Sequence, residues 1–250
     1  MALYYQTDPT LLCEEQVNDY LLYLQESLQP SESYFKHTIY GLRYALRLKG
    51  EEMKIRLPVI HRDKQLPSVL NYRELKQLIQ TPKLLKHKIL LALIYDGSLR
   101  IKKVSNLRIK DIDLERCTLQ VRQSKYNKDR IVPISKMIVR GLQTYYSVKR
   151  PIEWVFNGRI KSYKAQPLSV RGIQAVVRET VKKCGFEKKV TCHTLRHSYA
   201  THLLEMGLDL VSIKEQLGHS SIQTTMIYLR VAQLDRERGF SPLDKLYDHE

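Results

Sequence analysis

The sequence has little of what marks a disulfide-bonded, metal-binding or membrane-embedded protein. The longest apolar run, residues 89–95, is far too short to cross a bilayer. The opening MALYYQTDPT lacks the charged and apolar regions of a signal peptide. The few cysteines form no CxxC pair and have no zinc-ligand spacing; they are Cys13, Cys117, Cys184 and Cys192. We therefore expect free thiols in a reducing cytoplasm, no zinc site and no membrane partner.

Motifs for nucleotide and metal chemistry are also absent. The sequence has no Gly-rich phosphate loop, no GK[ST] motif, no HExxH motif and no cluster of acidic residues. Any phosphoryl transfer by this chain is therefore expected to run without a metal ion, a cofactor or a nucleoside triphosphate.

Positive charge is what the sequence has in excess. Lysine and arginine total 42 against 26 aspartates and glutamates, which gives a formal net charge of +16. The surplus is regional, because residues 1–66 carry −1 and residues 67–250 carry +17. A basic surplus spread over a long folded region favours a broad surface for DNA or RNA over a short membrane anchor.

The change in charge falls at a polar seam, HRDKQLPS, residues 61–68. A chain of 250 residues has room for two modest domains. We place the first at residues 1–62 and the second at residues 67–250.

The first region is predicted to be helical. Apolar spacing predicts helices over about residues 11–28 and 32–48. Arg43 and Arg47 lie four residues apart on the second helix, so they share one face. That face either meets DNA phosphates or is simply solvated.

The second region is predicted to be mainly α with a small antiparallel β-sheet. Asn71 and Glu74 form a capping-box pattern at the start of its first helix. Strands at 117–123 and 130–134 flank the polar loop SKYNKD and predict a hairpin. Helical patterns cover residues 72–80, 84–95, 100–107, 136–148, 170–184, 193–206, 209–217 and 221–231. On the fifth of these, a basic stripe at helical spacing is a candidate for DNA contacts: Arg171, Arg178 and Lys182.

The pentapeptide HTLRH, residues 193–197, is the first candidate for chemistry. His193 and Arg196 are three apart and so share a helical face. An arginine fork grips a phosphate through two hydrogen bonds, and an imidazole moves protons near neutral pH. A zinc pair of His193 and His197 is the alternative, but no third ligand lies nearby.

The stretch LGHSSIQTTMIYL, residues 217–229, supplies the other groups. His219 follows Gly218, where a helix ends and the chain turns sharply. Tyr228 comes nine residues after His219 on a new helix. A single tyrosine among sixteen is usually a packing residue, but this combination offers cations, a proton source and a nucleophile for phosphoryl transfer.

Together these motifs resemble those of the tyrosine recombinase, or phage integrase, family, and in particular its Xer-like site-specific recombinases. The C-terminal signature of that family is similar to HTLRHSYATHLLEMGLDLVSIKEQLGHSSIQTTMIYLRV. Its first arginine segment is similar to IYDGSLRIKKVSNLRIKDID, and its lysine hairpin to SKYNKDRIVPIS. The motifs occur in the family's order, and the resemblance is good over residues 67–235.

The resemblance implies a role for each matching residue. Tyr228 is the nucleophile that forms a 3′-phosphotyrosine, while Arg100 and Arg196 clamp the scissile phosphate. His219 adds a donor to the same oxygens. His193 is the general base or an orienting group, and Lys125 is the general acid for the 5′ leaving oxygen. No metal or ATP is required, because the phosphotyrosine keeps the bond energy.

The resemblance also implies architecture and partners. The fold is a tyrosine recombinase catalytic domain behind a small helical DNA-binding domain, which is shorter here than is usual. The partner is duplex DNA with a specific recombination site, such as those of mobile elements, bound by a tetramer. A short C-terminal helix with an apolar stripe at Leu243, Leu246 and Tyr247 is expected to dock on a neighbouring protomer.

Two positions depart from the family pattern. Lys103 stands where an acidic residue is usual, and Ser98 stands where Gly-Leu-Arg usually begins. Asp96, four residues before Arg100, is a candidate replacement partner for that arginine if the helix continues.

Two alternatives stay open. A DNA-binding protein that has lost catalysis fits Lys103 and the short N-terminal region, although the complete six-residue set argues against it. A type IB topoisomerase shares the chemistry but relaxes DNA without a defined site.

Overall fold

The computed structural model divides the chain into two compact units, Met1–Gln65 and Leu66–Glu250. The structure describes the following residues: 1–28, 30–51, 53, 55, 66–122, 129–158 and 166–232. Two features predicted from the sequence lie outside these ranges, namely Lys125 in the hairpin loop and the docking helix near the C-terminus.

The first unit is built from helices packed on one apolar core. Ser31 begins the longest helix, because its side chain accepts a hydrogen bond from the Tyr34 amide. Phe35, Ile39 and Leu46 recur at helical spacing on the inner face and are almost fully buried. The helices are α1 (Ala2–Tyr5), α2 (Glu14–Tyr23) and α3 (Glu32–Leu48), with a 3₁₀ turn at Pro9–Leu11 and a π-helical turn at Leu24–Leu28.

Both predicted N-terminal helices are confirmed, with one change at the first. α2 begins at Glu14 rather than near residue 11. The chain before it is held in a 3₁₀ turn, where the Asp8 carboxylate accepts a hydrogen bond from the Thr10 amide. Because the Asp8 side chain holds this segment in the 3₁₀ turn, α2 does not begin at residue 11.

The second unit surrounds one apolar helix. Helix α5 (Leu85–Asp96) buries every side chain from Ile89 to Ile94, so this stretch has no solvent face and forms the centre of the core. The Asn71–Glu74 capping box that begins α4 is confirmed. The helices are α4 (Tyr72–Gln80), α5 (Leu85–Asp96), α6 (Ile101–Ser105), α7 (Lys136–Lys149), α8 (Val170–Cys184), α9 (Cys192–Glu205), α10 (Leu210–Leu217) and α11 (Gln223–Met226).

A three-stranded antiparallel sheet lies at one side of this core. Its strands are β1 (Ile112–Asp113), β2 (Thr118–Val121) and β3 (Arg130–Pro133), in the order β1-β2-β3. Leu119 pairs with Val132 and both are buried, whereas Val121 pairs with Arg130 at the end of the ladder. The predicted hairpin is confirmed, and β1 is an additional strand too short to show alternation.

Two predicted helices near the site differ in detail. Arg100 is the N-cap of α6 with an extended backbone rather than its first helical residue. The expected single helix at 221–231 is a short α11 followed by a 3₁₀ turn, Ile227–Arg230. Tyr228 lies in that tighter turn. No described helix is long and apolar enough to span a membrane.

Candidate active site

The turn between α10 and α11 gives the site its shape. Gly218 ends α10 with a φ of +63°, a conformation that L side chains rarely adopt. A Cβ atom there would also lie 2.5 Å from Nη1 of Arg130. Glycine meets the backbone requirement without strain and leaves room for the Arg130 guanidinium, and the turn directs the next residue, His219, into the site.

Arg196 is the most enclosed charge of the site. Its side chain extends from α9 and is 4% exposed. Nη1 donates to the Ser98 carbonyl at 2.5 Å, and Nη2 donates to the Leu217 carbonyl at 2.6 Å. Burial lowers the pKa of Arg196 to about 9, and the charges of Arg100 and Arg130 act in the same direction. The guanidinium is thus fixed in place among like charges.

Ser98 shows why glycine is usual at this position in the resembling sequences. Its φ is +44°, in the left-handed region, and this bend points its carbonyl at Arg196. The side chain is buried, and its hydroxyl has no hydrogen-bond partner among the described residues. The same turn separates α5 from α6, so Asp96 and Arg100 are not on one continuous helix.

Asp96 does not serve as the replacement partner of Arg100. Its Oδ2 accepts a hydrogen bond from the Ser135 amide at 2.7 Å, at the start of α7. No ion pair joins it to Arg100 in the described part of the chain. Burial raises the pKa of Asp96, while its bonds to Ser135 oppose that rise. The expected compensation is wrong, because Asp96 instead binds the amide of Ser135, the residue that caps α7.

Lys103, the other departure, binds the base of the hairpin. Its Nζ donates to the Arg122 carbonyl at 2.7 Å. Burial lowers its pKa, and the charges of Arg100 and Arg130 add to that effect. Arg122 in turn pairs with the buried Asp111 at 2.5 Å. Lys103 therefore ties α6 to the end of β2.

His219 faces this cationic group as a neutral ring. Its Nδ1 is 2.9 Å from Oγ1 of Thr225, which fixes the ring's orientation. Burial lowers the pKa of His219 to about 4, with contributions from Arg196, Arg100 and Arg130. At neutral pH the imidazole is uncharged, and in the tautomer in which the Thr225 hydroxyl donates to Nδ1, Nε2 carries the proton and is free to donate to an oxygen anion.

Tyr228 is withdrawn from solvent. Its side chain is 1% exposed and packs with Ala200, Leu204, Ile213 and Leu217. The hydroxyl lies 3.0 Å from Nδ1 of His197. Burial raises the pKa of Tyr228, and Arg196 partly opposes the rise, so the group is a phenol at neutral pH.

The contact between His197 and Tyr228 was not predicted. From the sequence, His197 is a candidate only as half of a zinc pair with His193. It lies beside Arg196 on α9, and burial lowers its pKa. His193 is exposed, with its ring centroid 6.3 Å from that of His197. Among the described residues, no group of three or more histidine, cysteine, aspartate or glutamate side chains is placed to hold a metal ion.

A groove of about 1390 Å³ opens beside these residues. Its lining is strongly basic and includes Arg100, Lys102, Lys103, Arg108, Arg122 and His193. Trp154 also lines it, with the Arg108 guanidinium 4.9 Å from its ring centroid. The structure thus brings Arg100, Arg196, His219 and Tyr228 to one region, with His193 on its open side.

The candidate DNA-contact residues lie on two other helices, α8 and α3. Arg171, Arg178 and Lys182 are exposed along α8. In the first unit Arg47 is exposed, whereas Arg43 donates to the Ile55 carbonyl at 2.7 Å. One donor of Arg43 is therefore used within the protein, although the side chain remains exposed.

Comparison with known proteins identifies the family. Residues 68–234 match the phage integrase family. Tyrosine recombinase XerA of Pyrococcus horikoshii is 36% identical over 207 residues, which are 82% of this chain and 67% of the relative. Tyrosine recombinase XerD of Staphylococcus saprophyticus is 34% identical over 202 residues, 78% of this chain and 68% of the relative.

Solved structures share the fold. The crystal structure of XerA recombinase aligns with a TM-score of 0.61 at 26% identity, covering 98% of this chain and 86% of that one. XerH site-specific recombinase bound to palindromic difH substrate aligns with a TM-score of 0.71 at 22% identity, covering 89% and 70%. Because the family match spans well over half of the sequence, this chain belongs to the phage integrase family of tyrosine recombinases, enzymes that cleave and rejoin DNA.

Proposed function

We propose that the chain cleaves and rejoins duplex DNA at a specific site, with Tyr228 as the nucleophile. The observation that carries this proposal is the convergence of Arg100, Arg196 and His219 around the turn that holds Tyr228. Cations and a neutral donor are what a pentavalent phosphorus transition state requires.

The reaction follows from these groups. Oη of Tyr228 attacks phosphorus, a bond forms between them, and the bond from phosphorus to the 5′ oxygen breaks. The phenol proton passes to a histidine base, for which we propose His193. The leaving oxygen takes a proton from Lys125. Attack of a 5′ hydroxyl on the phosphotyrosine reverses every step, so each strand exchange conserves the number of phosphodiester bonds.

In the described conformation Tyr228 is not positioned to attack a phosphate. Its hydroxyl is buried and hydrogen-bonded to His197, so it has no path to a phosphate in the groove. Attack therefore requires the segment of α11 and the following 3₁₀ turn to move. The segment consists of only two short turns, so its displacement disrupts few backbone hydrogen bonds.

The basic charge of residues 67–250 and the groove lining supply sequence-independent affinity for the DNA backbone. We propose that the stripe of α8 extends that surface and that the first unit binds the same duplex through Arg47. We further propose that four protomers assemble on paired sites in the cytoplasm, each contributing its C-terminal segment to a neighbour.

The test is trapping of the covalent intermediate. The full chain is incubated with nicked suicide duplexes drawn from the DNA that flanks its gene, and products are separated under denaturing conditions. We expect a protein–DNA band that Tyr228→Phe abolishes while gel-shift affinity is retained. DNA binding without any band supports the non-catalytic alternative. Bands at many unrelated sequences support a topoisomerase.

A further inference from the structure

Arg130 is a conspicuous group outside the six residues implied by family resemblance. It lies on β3 opposite Val121, at the end of the sheet nearest the hairpin loop. Its side chain reaches across to the turn that precedes His219. The position that a Gly218 Cβ would occupy is 2.5 Å from its Nη1 and 3.2 Å from its Cζ. Arg130 thus lies against the backbone that orients His219.

The guanidinium of Arg130 is surrounded by other positive groups. Its charge contributes to the lowered pKa values of Arg196, His219 and Lys103. Its own pKa falls to about 10 through burial, and Arg100 adds to that fall. Arg130 therefore lies close to the three cations Arg100, Arg196 and Lys103 and to the ring of His219.

Arg130 has no counter-charge in the part of the chain that the structure describes. None of the ion pairs there includes it. Its Nε is buried and finds no hydrogen-bond partner among the same residues. A buried donor without a partner destabilises a fold, as does a guanidinium held beside two others. Such an arrangement persists where an anion completes it.

We infer that Arg130 is a further phosphate-binding residue, a third arginine that meets the scissile phosphate together with Arg100 and Arg196. The inference rests on the proposed function and deepens it. Arg196 already donates to two carbonyls, so it is rigid but has fewer free donors. The Nε of Arg130 has no partner among the described residues, and its guanidinium lies against Gly218, next to the Leu217 carbonyl that Arg196 binds.

Inorganic phosphate is the probe that tests this inference. The full chain is titrated with phosphate against chloride of matched ionic strength, and affinity is read from thermal shift and from calorimetry. Arg130→Met keeps the length of the stem and removes the charge. Arg116→Met is the matched control, because the Arg116 side chain is 85% exposed at the far turn of the same sheet.

We expect Arg130→Met to weaken phosphate binding about tenfold, since a charge-assisted contact is lost. Arg130→Lys should recover part of that loss, and Arg116→Met should bind as the wild type does. The melting temperature of phosphate-free Arg130→Met should not fall, because like-charge repulsion is relieved. Phosphate binding equal to wild type in Arg130→Met, together with a lower melting temperature, would overturn the inference and make Arg130 a structural residue.

The phosphate titration tests the role of Arg130, whereas trapping of the covalent intermediate tests the proposed function, so the two can fail independently. Phosphate binding needs no strand cleavage, so the phosphate titration decides the role of Arg130 even if no DNA adduct forms. Where the wild type does form an adduct, Arg130→Met should form it more slowly, with partial recovery in Arg130→Lys. An unchanged rate of adduct formation in Arg130→Met also counts against the inference.

Discussion

The hydroxyl of Tyr228 lies 3.0 Å from Nδ1 of His197, and the tyrosine ring is closed off from solvent. The residue proposed to attack DNA is therefore also a core residue of the small cluster between α9 and α10. Under the proposed function Tyr228 has both roles, as a packing residue in the described conformation and as the nucleophile after the segment moves.

This hydrogen bond should contribute measurably to stability. His197→Ala leaves the buried phenol without a partner, which we expect to cost about 1–3 kcal/mol in the free energy of unfolding. Urea denaturation of His197→Ala, Tyr228→Phe and the double variant forms a double-mutant cycle. The double variant should lose less stability than the two single losses combined. Strict additivity would mean that the two side chains do not interact.

Ser98→Gly should stabilise the protein. The substitution removes a side chain from a residue with a φ of +44° and eliminates a hydroxyl that lacks a partner among the described residues. Relief of this strain is worth about 1 kcal/mol, less the added entropy of a glycine in the unfolded chain. Ser98→Ala serves as the control, since it removes only the hydroxyl and should gain less. A urea midpoint below wild type for Ser98→Gly would contradict the strain argument.

Stability should fall as the pH drops below neutral. The pKa of His219 is about 4 in the folded chain, below the value of about 6.5 for an unperturbed histidine. The unfolded chain therefore takes up a proton that the folded chain refuses between these values, and unfolding is favoured there. Burial lowers the pKa of His197 and His202 in the same direction.

The measurement compares urea midpoints at about pH 7 and pH 5 for the wild type and for His219→Asn, which has no titrating ring. The variant should lose less stability over this interval than the wild type does. Equal losses in the two proteins would show that His219 does not contribute to the acid sensitivity.

The stripe on α8 should contribute to the salt dependence of DNA binding. Arg171, Arg178 and Lys182 are all exposed, so each is available to a phosphate. Replacement of any one by alanine should reduce the slope of log affinity against log salt by about one unit. Arg116→Ala is the control with an unchanged slope. An unchanged slope in all three α8 variants would assign the stripe to solvent.

The sequence predicted those elements that have strong local signals. The capping box at Asn71 and the glycine ends of α8 and α10 act over three or four residues, and the structure has each of them. The two-residue strand β1 was missed, because so short a segment shows no periodicity. The sequence pattern predicts a continuous helix through the 3₁₀ turn at Tyr228, because both conformations place side chains three apart on a common face.

The sequence did not predict the contacts between residues that are far apart along the chain. Helical spacing placed Asp96 beside Arg100, but the positive φ of Ser98 breaks that geometry and leaves Asp96 with Ser135. The approach of Arg130 to Gly218 joins a strand to a helix end far along the chain. Local patterns identified the candidate catalytic residues, whereas tertiary packing determined the partners of their side chains.

If Tyr228 is the nucleophile, it carries the DNA in the covalent adduct, and peptide mapping of that adduct shows which residue is modified. Trypsin cleaves after Lys214 and Arg230, and the peptide between them, 215–230, contains Tyr228 as its single tyrosine. After nuclease trimming, mass spectrometry should find a nucleotide 3′-phosphate on Tyr228 of that peptide. A nucleotide attached to any other peptide, or a trapped adduct in Tyr228→Phe, would contradict the account.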